Sequence, residues 1–305
     1  MDPLLTAARH GPSVLVAGLC VGLALPGLAE AMRPWLPALV LGLLFISVLR
    51  IPPKALLGTL PDLPEVIGTA LALQLLAPLI VLLIARALGQ DGSATVLALS
   101  LMLAAPSIMG SPNISMMLGA APDHAMRLMV AGTALMPLTI VPVFWLSPAL
   151  DDMSSVRTTA LTLVASIGVT AALAIATRQS LLRRPTPTQE RRLEGASAIA
   201  LAVFVVGLMP QVSTVALSDP LKVLYWACIA FAANFGAQAL LWFATRRKQP
   251  RDRALPLALI AGNRNVALFL VSLPPEVTAP IMVFIGCYQL PMYLTPLLLR
   301  NLYKA

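Results

Sequence analysis

The chain has 305 residues, of which 58% are hydrophobic and only 11% are charged, and its mean hydropathy is +0.86. This composition excludes a soluble globular domain, because apolar stretches of about 20 residues, each long enough to cross a hydrocarbon core of roughly 30 Å, recur from end to end. The net charge of +8 resides largely in two short segments, RQSLLRRPTPTQERR and RRKQPRDR, so membrane topology explains it better than nucleic-acid binding.

The first apolar run, Ser13 to Leu28, is interpreted as a membrane span and not as a cleaved signal peptide. Its flank, Arg9-His10, is only weakly basic, and the run leads directly into another hydrophobic segment. The three cysteines lie in apolar segments without CxxC spacing, so the sequence indicates neither a disulfide framework nor a zinc site.

Hydropathy divides the chain into about ten membrane spans. Their predicted centres are Leu19, Leu43, Leu76, Leu103, Leu135, Ala165, Phe204, Phe231, Leu259 and Phe284. The loops include 50–54, 151–155 and 178–195, and one alternate set of loops, with both termini, holds 16 of the 21 Lys and Arg residues. Basic residues accumulate on the cytoplasmic side. We therefore expect an integral protein of a lipid bilayer, the bacterial inner membrane, with both termini in the cytoplasm.

An internal repeat links the fourth and ninth predicted spans. GSPNISMML (110–118) and GNRNVALFL (262–270) share Gly at the first position, Asn at the fourth and Leu at the ninth, at an offset of 152 residues. PLTIVP (137–142) and PMYLTP (291–296) share their proline spacing at an offset of 154. Five spans per half is an odd number, so the sequence predicts two inverted five-helix repeats, 1–152 and 153–305, within one all-α membrane domain.

Inverted repeats of this kind place a pair of interrupted helices near the membrane midplane, where unwound backbone lines a protein-enclosed cavity. Glycine and proline are suitable helix breakers, and asparagine side chains can coordinate a solute or an ion. The predicted substrate-binding residues are Gly110, Ser111, Pro112, Asn113, Gly262, Asn263, Arg264 and Asn265. A charge inside a span costs at least about 2.5 to 3.5 kcal/mol on insertion scales, so a charged residue there indicates a function. We therefore expect Arg264 to be the main positive charge of the site.

The stretch AAPSIMGSPNISMMLG, followed by PLTIVP and by GNRNVALFL in the ninth span, resembles the bile acid:sodium symporter family, which belongs to a larger group that also contains arsenite exporters. The resemblance implies a panel domain and a core domain, with spans four and nine crossing in the core. It also implies transport of an organic anion by alternating access.

The chain departs from this family at the positions that bind sodium. The ninth span of the family reads E-x-G-x-Q-N, and Ile260 and Arg264 stand here in place of the acid and the glutamine. Pro112 stands in place of a serine, and Arg127 and Ala131 in place of a serine and a threonine. We interpret Arg264 as a tethered cation that replaces a bound one, so sodium coupling is doubtful. The alternative for Arg264 is a structural charge held by backbone carbonyls of the broken helices.

Three further polar residues have open roles. Gln74 and Arg127 are possible secondary site residues, but Gln74 also suits interhelical hydrogen bonding, and Arg127 suits an i,i+4 ion pair with Asp123. His124 is predicted to be a solvated loop residue, with proton coupling as the alternative.

The sequence therefore predicts a secondary transporter for a small organic anion, a carboxylate or a sulfonate, with no cofactor. Enzyme motifs such as HExxH, GxSxG and a Walker-type loop are absent from the sequence. The alternatives are a sodium- or proton-coupled symporter with a relocated ion site, an arsenite-type exporter and a non-transporting sensor. An arsenite exporter is expected to have a cysteine near the fourth-span break and an acidic residue in the ninth span, and the sequence has neither.

Overall fold

A computed structural model describes residues 2–51, 62–150 and 152–304. Numbered along the chain, the helices are α1 (Pro3–Arg9), α2 (Gly11–Ala24), α3 (Pro26–Arg50), α4 (Leu63–Ala87), α5 (Ala94–Ala104), α6 (Ser111–Met117), α7 (Pro122–Leu146), α8 (Met153–Leu181), α9 (Pro187–Ser218), α10 (Pro220–Thr245), α11 (Arg251–Gly262), α12 (Pro275–Leu298) and α13 (Arg300–Lys304). Seven of them, α3, α4, α7 to α10 and α12, are long and apolar enough to cross a membrane. At this level the predicted fold class is confirmed, and the chain is an all-α integral membrane protein.

The three other predicted spans coincide with bent or broken helices. The first, Ser13 to Leu28, corresponds to α2, which meets α1 at a sharp bend. The fourth corresponds to α5 and α6, and the ninth to α11 followed by a 3₁₀ turn over Val266–Val271. The count of ten spans and the inverted repeat stay predictions. Lys54 and Asp151, which belong to two of the predicted loops, lie outside the described residues.

Proline, more than glycine, determines where the fourth span breaks. Ala105 is extended, with φ −65° and ψ 147°, the conformation favoured for a residue that precedes a proline, and Pro106 follows it. Pro112 lies in the first turn of α6, where a missing N–H leaves no bond unmade, so it starts this helix. Gly262 is the last residue of α11, and a Cβ there would lie 2.1 Å from the carbonyl oxygen of Asn234. Gly262 therefore permits the close approach of α10.

The helices pack in two groups. In the first, α9 lies against α1, α2 and α3, and α3 contacts α8; in the second, α7 contacts α4, α5, α6 and α11, while α10 contacts α11 and α12. Gly18 and Gly22 of α2 lie directly on α9, since a Cβ on either would come within 2.7 Å of Ala202 or Met209. The two groups meet where α7 contacts α8 and where α9 contacts α12. Helices from both halves of the sequence are thus interleaved in one packed unit.

Candidate functional site

The two interrupted helices cross and bond to each other through their backbones. Ser107, between α5 and α6, forms an antiparallel bridge with Arg264, which follows α11. The Ile108 N–H donates to the Asn263 carbonyl at 3.0 Å, and the Asn265 N–H donates to the Pro106 carbonyl at 2.8 Å. Backbone groups released by one break are therefore satisfied by the other.

The last carbonyls of α11 also need partners, since a break leaves them without the usual i+4 donor. In an uninterrupted helix the Asn265 N–H would donate to Ala261, but here it is bonded to Pro106. The Gly262 carbonyl accepts from the Tyr288 hydroxyl and, at 2.7 Å, from the side-chain amide of Asn234. The Ala261 carbonyl is left for a side chain close to the break.

Arg264 supplies that donor. Its Nε donates to the Ala261 carbonyl at 3.1 Å and its Nη1 to the Ala105 carbonyl at 2.9 Å, so one guanidinium binds the carboxyl ends of both α11 and α5. The residue is completely buried, and Nη2 has no acceptor among the described residues. A helix carries a partial charge of about −0.5 at its carboxyl end, so two helix ends and one guanidinium are close to neutral together.

Asn263 belongs to a buried polar network on the other side of the break. Its Oδ1 accepts from the amide of Asn234 at 3.1 Å and from the hydroxyl of Thr295 at 3.2 Å. Gln238 donates to Asn234 at 2.6 Å and accepts from Tyr303 at 2.7 Å. All five side chains are at most 1% exposed. The network fixes α10, α12 and α13 around the end of α11.

The first break has a smaller set of polar contacts. The hydroxyls of Ser107 and Ser111 are 2.5 Å apart, and both residues are buried. Pro112 is buried beside them, whereas Gly110 and Asn113 are half-buried. Asn113 is therefore the polar side chain of this break that reaches an open space.

That space is a cavity of about 170 Å³ between the two helix groups. Its lining comprises Ser47, Arg50, Ile51, Met109, Pro112, Asn113, Met126, Met129, Arg178, Glu190, Leu193 and Glu194. The first helix group contributes both arginines and both glutamates, and the second contributes the break and the methionines. The cavity thus joins the helix crossing to ionised side chains of α3, α8 and α9.

The structure brings most of the predicted site residues to one place, in different surroundings. Five of them, Gly110 and the four residues from Gly262 to Asn265, lie at the two breaks, and Ser111, Pro112 and Asn113 form the first turn of α6 directly after the first break. Pro112 and Asn113 line the cavity; Arg264 is not part of its lining. The alternative reading of Arg264, a charge held by carbonyls of the broken helices, describes its contacts.

Gln74 and Arg127 make contacts between α4 and α7. Gln74 is buried in a π-helical turn of α4, Ala72–Leu76, and its amide fills the space that Gly132 of α7 leaves open. Arg127 pairs with Asp62, and not with Asp123, so the expected i,i+4 pair is wrong. Asp62 also pairs with Arg253 at 3.3 Å, which ties α4, α7 and α11 together at one end.

His124 is not a solvated loop residue. It lies in the first turn of α7, only 6% of it is exposed, and its Nε2 has no partner among the described residues. The prediction was wrong because the segment 122–124 begins a helix. Proline is common in the first turn of a helix, and Pro122 occupies this position here. The start of α7 then packs beside the ion pairs of Asp62 and Arg253.

Sequence reasoning missed the polar network of Asn234, Gln238, Tyr288, Thr295 and Tyr303. Its only local signal is the spacing of Asn234 and Gln238, which lie four residues apart in an apolar helix and so share one face. Their partners come from α11, α12 and α13, which spacing alone does not identify.

Comparison with known proteins adds no family assignment. No protein-family model matches the chain, and no curated protein matches it. The resemblance to bile acid:sodium symporters therefore depends on the quoted sequence motifs alone.

Proposed function

We propose that this protein is a secondary transporter that moves a small organic anion across the membrane by alternating access. The observation that carries the proposal is the backbone bridge between Ser107 and Arg264, where two interrupted apolar helices cross inside the protein. A membrane protein keeps non-helical backbone at this depth only where protein or a water-filled cavity encloses it, and secondary transporters bind their solutes at such breaks.

The packing of the helices supports alternating access. The crossing belongs to one helix group, the cavity lies between this group and the other, and residues of both groups line it. Relative movement of two packed groups around a solute is the usual way in which such a site changes the side to which it opens. Asn113 and Asn265, equivalent in the proposed inverted repeat of ten spans, are half-buried and suited to contact the solute.

Arg264 takes the role of a coupling cation in this proposal. A sodium ion would need several oxygen ligands, and the carbonyls of Ala105 and Ala261 at the crossing already bind a guanidinium. Because this cation is covalently attached, it neither enters nor leaves with the solute. Transport should therefore not depend on sodium. We further propose that both termini face the cytoplasm of a bacterial cell.

Counterflow in proteoliposomes tests the carrier function. Purified protein is first screened by thermal shift against small carboxylates and sulfonates, and a stabilising anion is then loaded into vesicles and exchanged against its labelled form. A carrier accumulates label above the level of protein-free vesicles. A sensor would bind the anion without exchange, and that result would contradict the proposal.

A further inference from the structure

The positive charge at the helix crossing differs from the positive charges that line the cavity. The Arg264 guanidinium is fully buried against two helix ends and does not line the cavity between the helix groups. Two other arginines, Arg50 and Arg178, do line it. Both belong to the first helix group, opposite the break that carries Asn113.

Arg178 is buried to an unusual degree for a charged residue. It lies in the last turn of α8, is 9% exposed, and donates from Nη1 to the Leu49 carbonyl of α3. Its Nε has no acceptor among the described residues. Salt bridges found in the described part of the chain do not include it. A buried charge of this kind is costly unless an anion accompanies it.

Arg50 has a partner, but a weak one. Its Nη2 lies 3.4 Å from Oε1 of Glu194, well beyond the 2.7 to 2.9 Å of a strong charged hydrogen bond. Glu194 and Glu190 are exposed and lie one turn apart on α9, at the edge of the same cavity. A carboxylate that enters the cavity can therefore displace Glu194 from its contact with Arg50.

We propose that Arg178 and Arg50 together bind the carboxylate of the transported solute, with Glu194 as the internal competitor for Arg50 in the empty site. Asn113 faces the same cavity from the helix break and hydrogen-bonds to the solute there. This inference rests on the proposed carrier function for the identity of the ligand as a transported solute. It assigns the binding charge to two residues outside the crossing.

The volume of the cavity favours a small solute. Its volume of about 170 Å³ is close to that of a cavity of about 150 Å³ that holds benzene. Met109, Met126 and Met129 supply an adaptable apolar wall opposite the arginines. The solute class is accordingly a small monocarboxylate with a compact apolar body, much smaller than a steroid.

Ligand binding to full-length variants tests the assignment. Purified wild type, Arg178→Gln, Arg178→Lys, Arg50→Gln and Glu194→Gln are titrated with formate, acetate, pyruvate and benzoate. Benzamide serves as the uncharged control and anthracene-9-carboxylate as the oversized one. Arg183→Gln removes a charge from the adjoining exposed segment and is the matched control. Monodisperse elution in size-exclusion chromatography identifies the variants that fold.

We expect at least one small carboxylate, and not benzamide, to bind the wild type. Arg178→Gln should weaken binding about 10- to 100-fold, the loss expected for one or two charge-assisted hydrogen bonds. Arg178→Lys should restore part of the affinity, Arg183→Gln should leave it unchanged, and Glu194→Gln should strengthen it. A purely structural role for these residues would not give opposite signs for the arginine and glutamate variants.

Two results would overturn the assignment. One is equal binding by wild type and by folded Arg178→Gln and Arg50→Gln; the other is the absence of binding by every small carboxylate tested. Counterflow of a bound carboxylate separates the two proposals. Binding that depends on Arg178 without exchange would contradict the carrier function and leave the binding site intact, whereas exchange unaffected by Arg178→Gln would contradict only the binding site.

Discussion

Replacement of Arg264 by glutamine or lysine separates the charge of this residue from its hydrogen bonds. Arg264→Gln loses two charged hydrogen bonds, about 3 to 6 kcal/mol in total, and regains about 0.5 to 1.5 kcal/mol if the amide bonds to one carbonyl. It also no longer buries a charge, which offsets about 2.5 to 3.5 kcal/mol. Arg264→Lys keeps the charge and loses one bond, at about 1.5 to 3 kcal/mol. Both variants should therefore fold, with at most moderate loss of stability.

The response to cations distinguishes the two variants. In Arg264→Gln the carboxyl ends of α5 and α11 face each other without a positive charge, so an added monovalent cation should bind there. At ten times its Kd such an ion stabilises the folded state by about 1.4 kcal/mol. The assay is thermal denaturation of detergent-solubilised protein in sodium chloride or in choline chloride of equal ionic strength. Arg157→Ala, which removes an exposed charge, is the control.

We expect sodium to stabilise Arg264→Gln selectively, with no such effect on wild type, Arg264→Lys or Arg157→Ala. Transport of the anion should be strongly reduced in Arg264→Gln. Equal responses of all four proteins to sodium, or full transport by Arg264→Gln, would refute the view that Arg264 acts as a cation for two helix ends.

Three further predictions concern packing, hydrogen bonding and pH. Gly18→Ala places a Cβ 2.7 Å from a backbone oxygen of α9 and should destabilise the protein by about 1 to 3 kcal/mol, whereas Gly42→Ala, in an open helical position, should be neutral or stabilising in the same thermal melt. Asn234→Leu removes two hydrogen bonds that Asn234 donates at the end of α11, and the free energy of unfolding should fall by about 1 to 3 kcal/mol. Thermal denaturation measures this loss, and an unchanged melting temperature would show that the network does not hold this break. The hydrogen bond from Arg192 holds the pKa of Asp2 below its usual value, so this contribution is present above the pKa of the unfolded chain and is lost as the pH falls through the folded value. The protection of the α1 amides, corrected for the pH dependence of intrinsic hydrogen exchange, should accordingly fall on acidification in wild type and show no such dependence in Asp2→Asn.

The spans and their breaks could be predicted because they depend on local properties of the sequence. Hydropathy over about 20 residues identifies a span, and a cluster of Gly, Pro and Asn inside it marks an interruption. The proposed repeat pairs the two interruptions, and in the structure the backbone residues on either side of Ser107 and Arg264 hydrogen-bond to each other. Pro106, which ends α5, does not belong to this pattern, because Gly110 and Pro112 form a stronger one nearby.

The partners of the charged residues could not be predicted in this way. The Ala105 carbonyl that binds Arg264 is 159 residues away in the chain. Every residue has a backbone carbonyl, so nothing in the sequence distinguishes this one as the acceptor. Arg178 illustrates the same limit, since its position in a basic loop indicated topology while its burial depends on packing against α3. The distribution of charge predicts the side of the membrane, whereas contact with a cavity is a property of the folded chain.

Anion uptake in sodium-free vesicles is the most direct test of the central claim that a tethered cation replaces a coupling ion. Proteoliposomes containing the wild-type protein would be assayed for exchange of a bound carboxylate with potassium as the only monovalent cation, and again with sodium. The tethered charge of Arg264 predicts equal exchange rates in the two media. Exchange that requires sodium would contradict it.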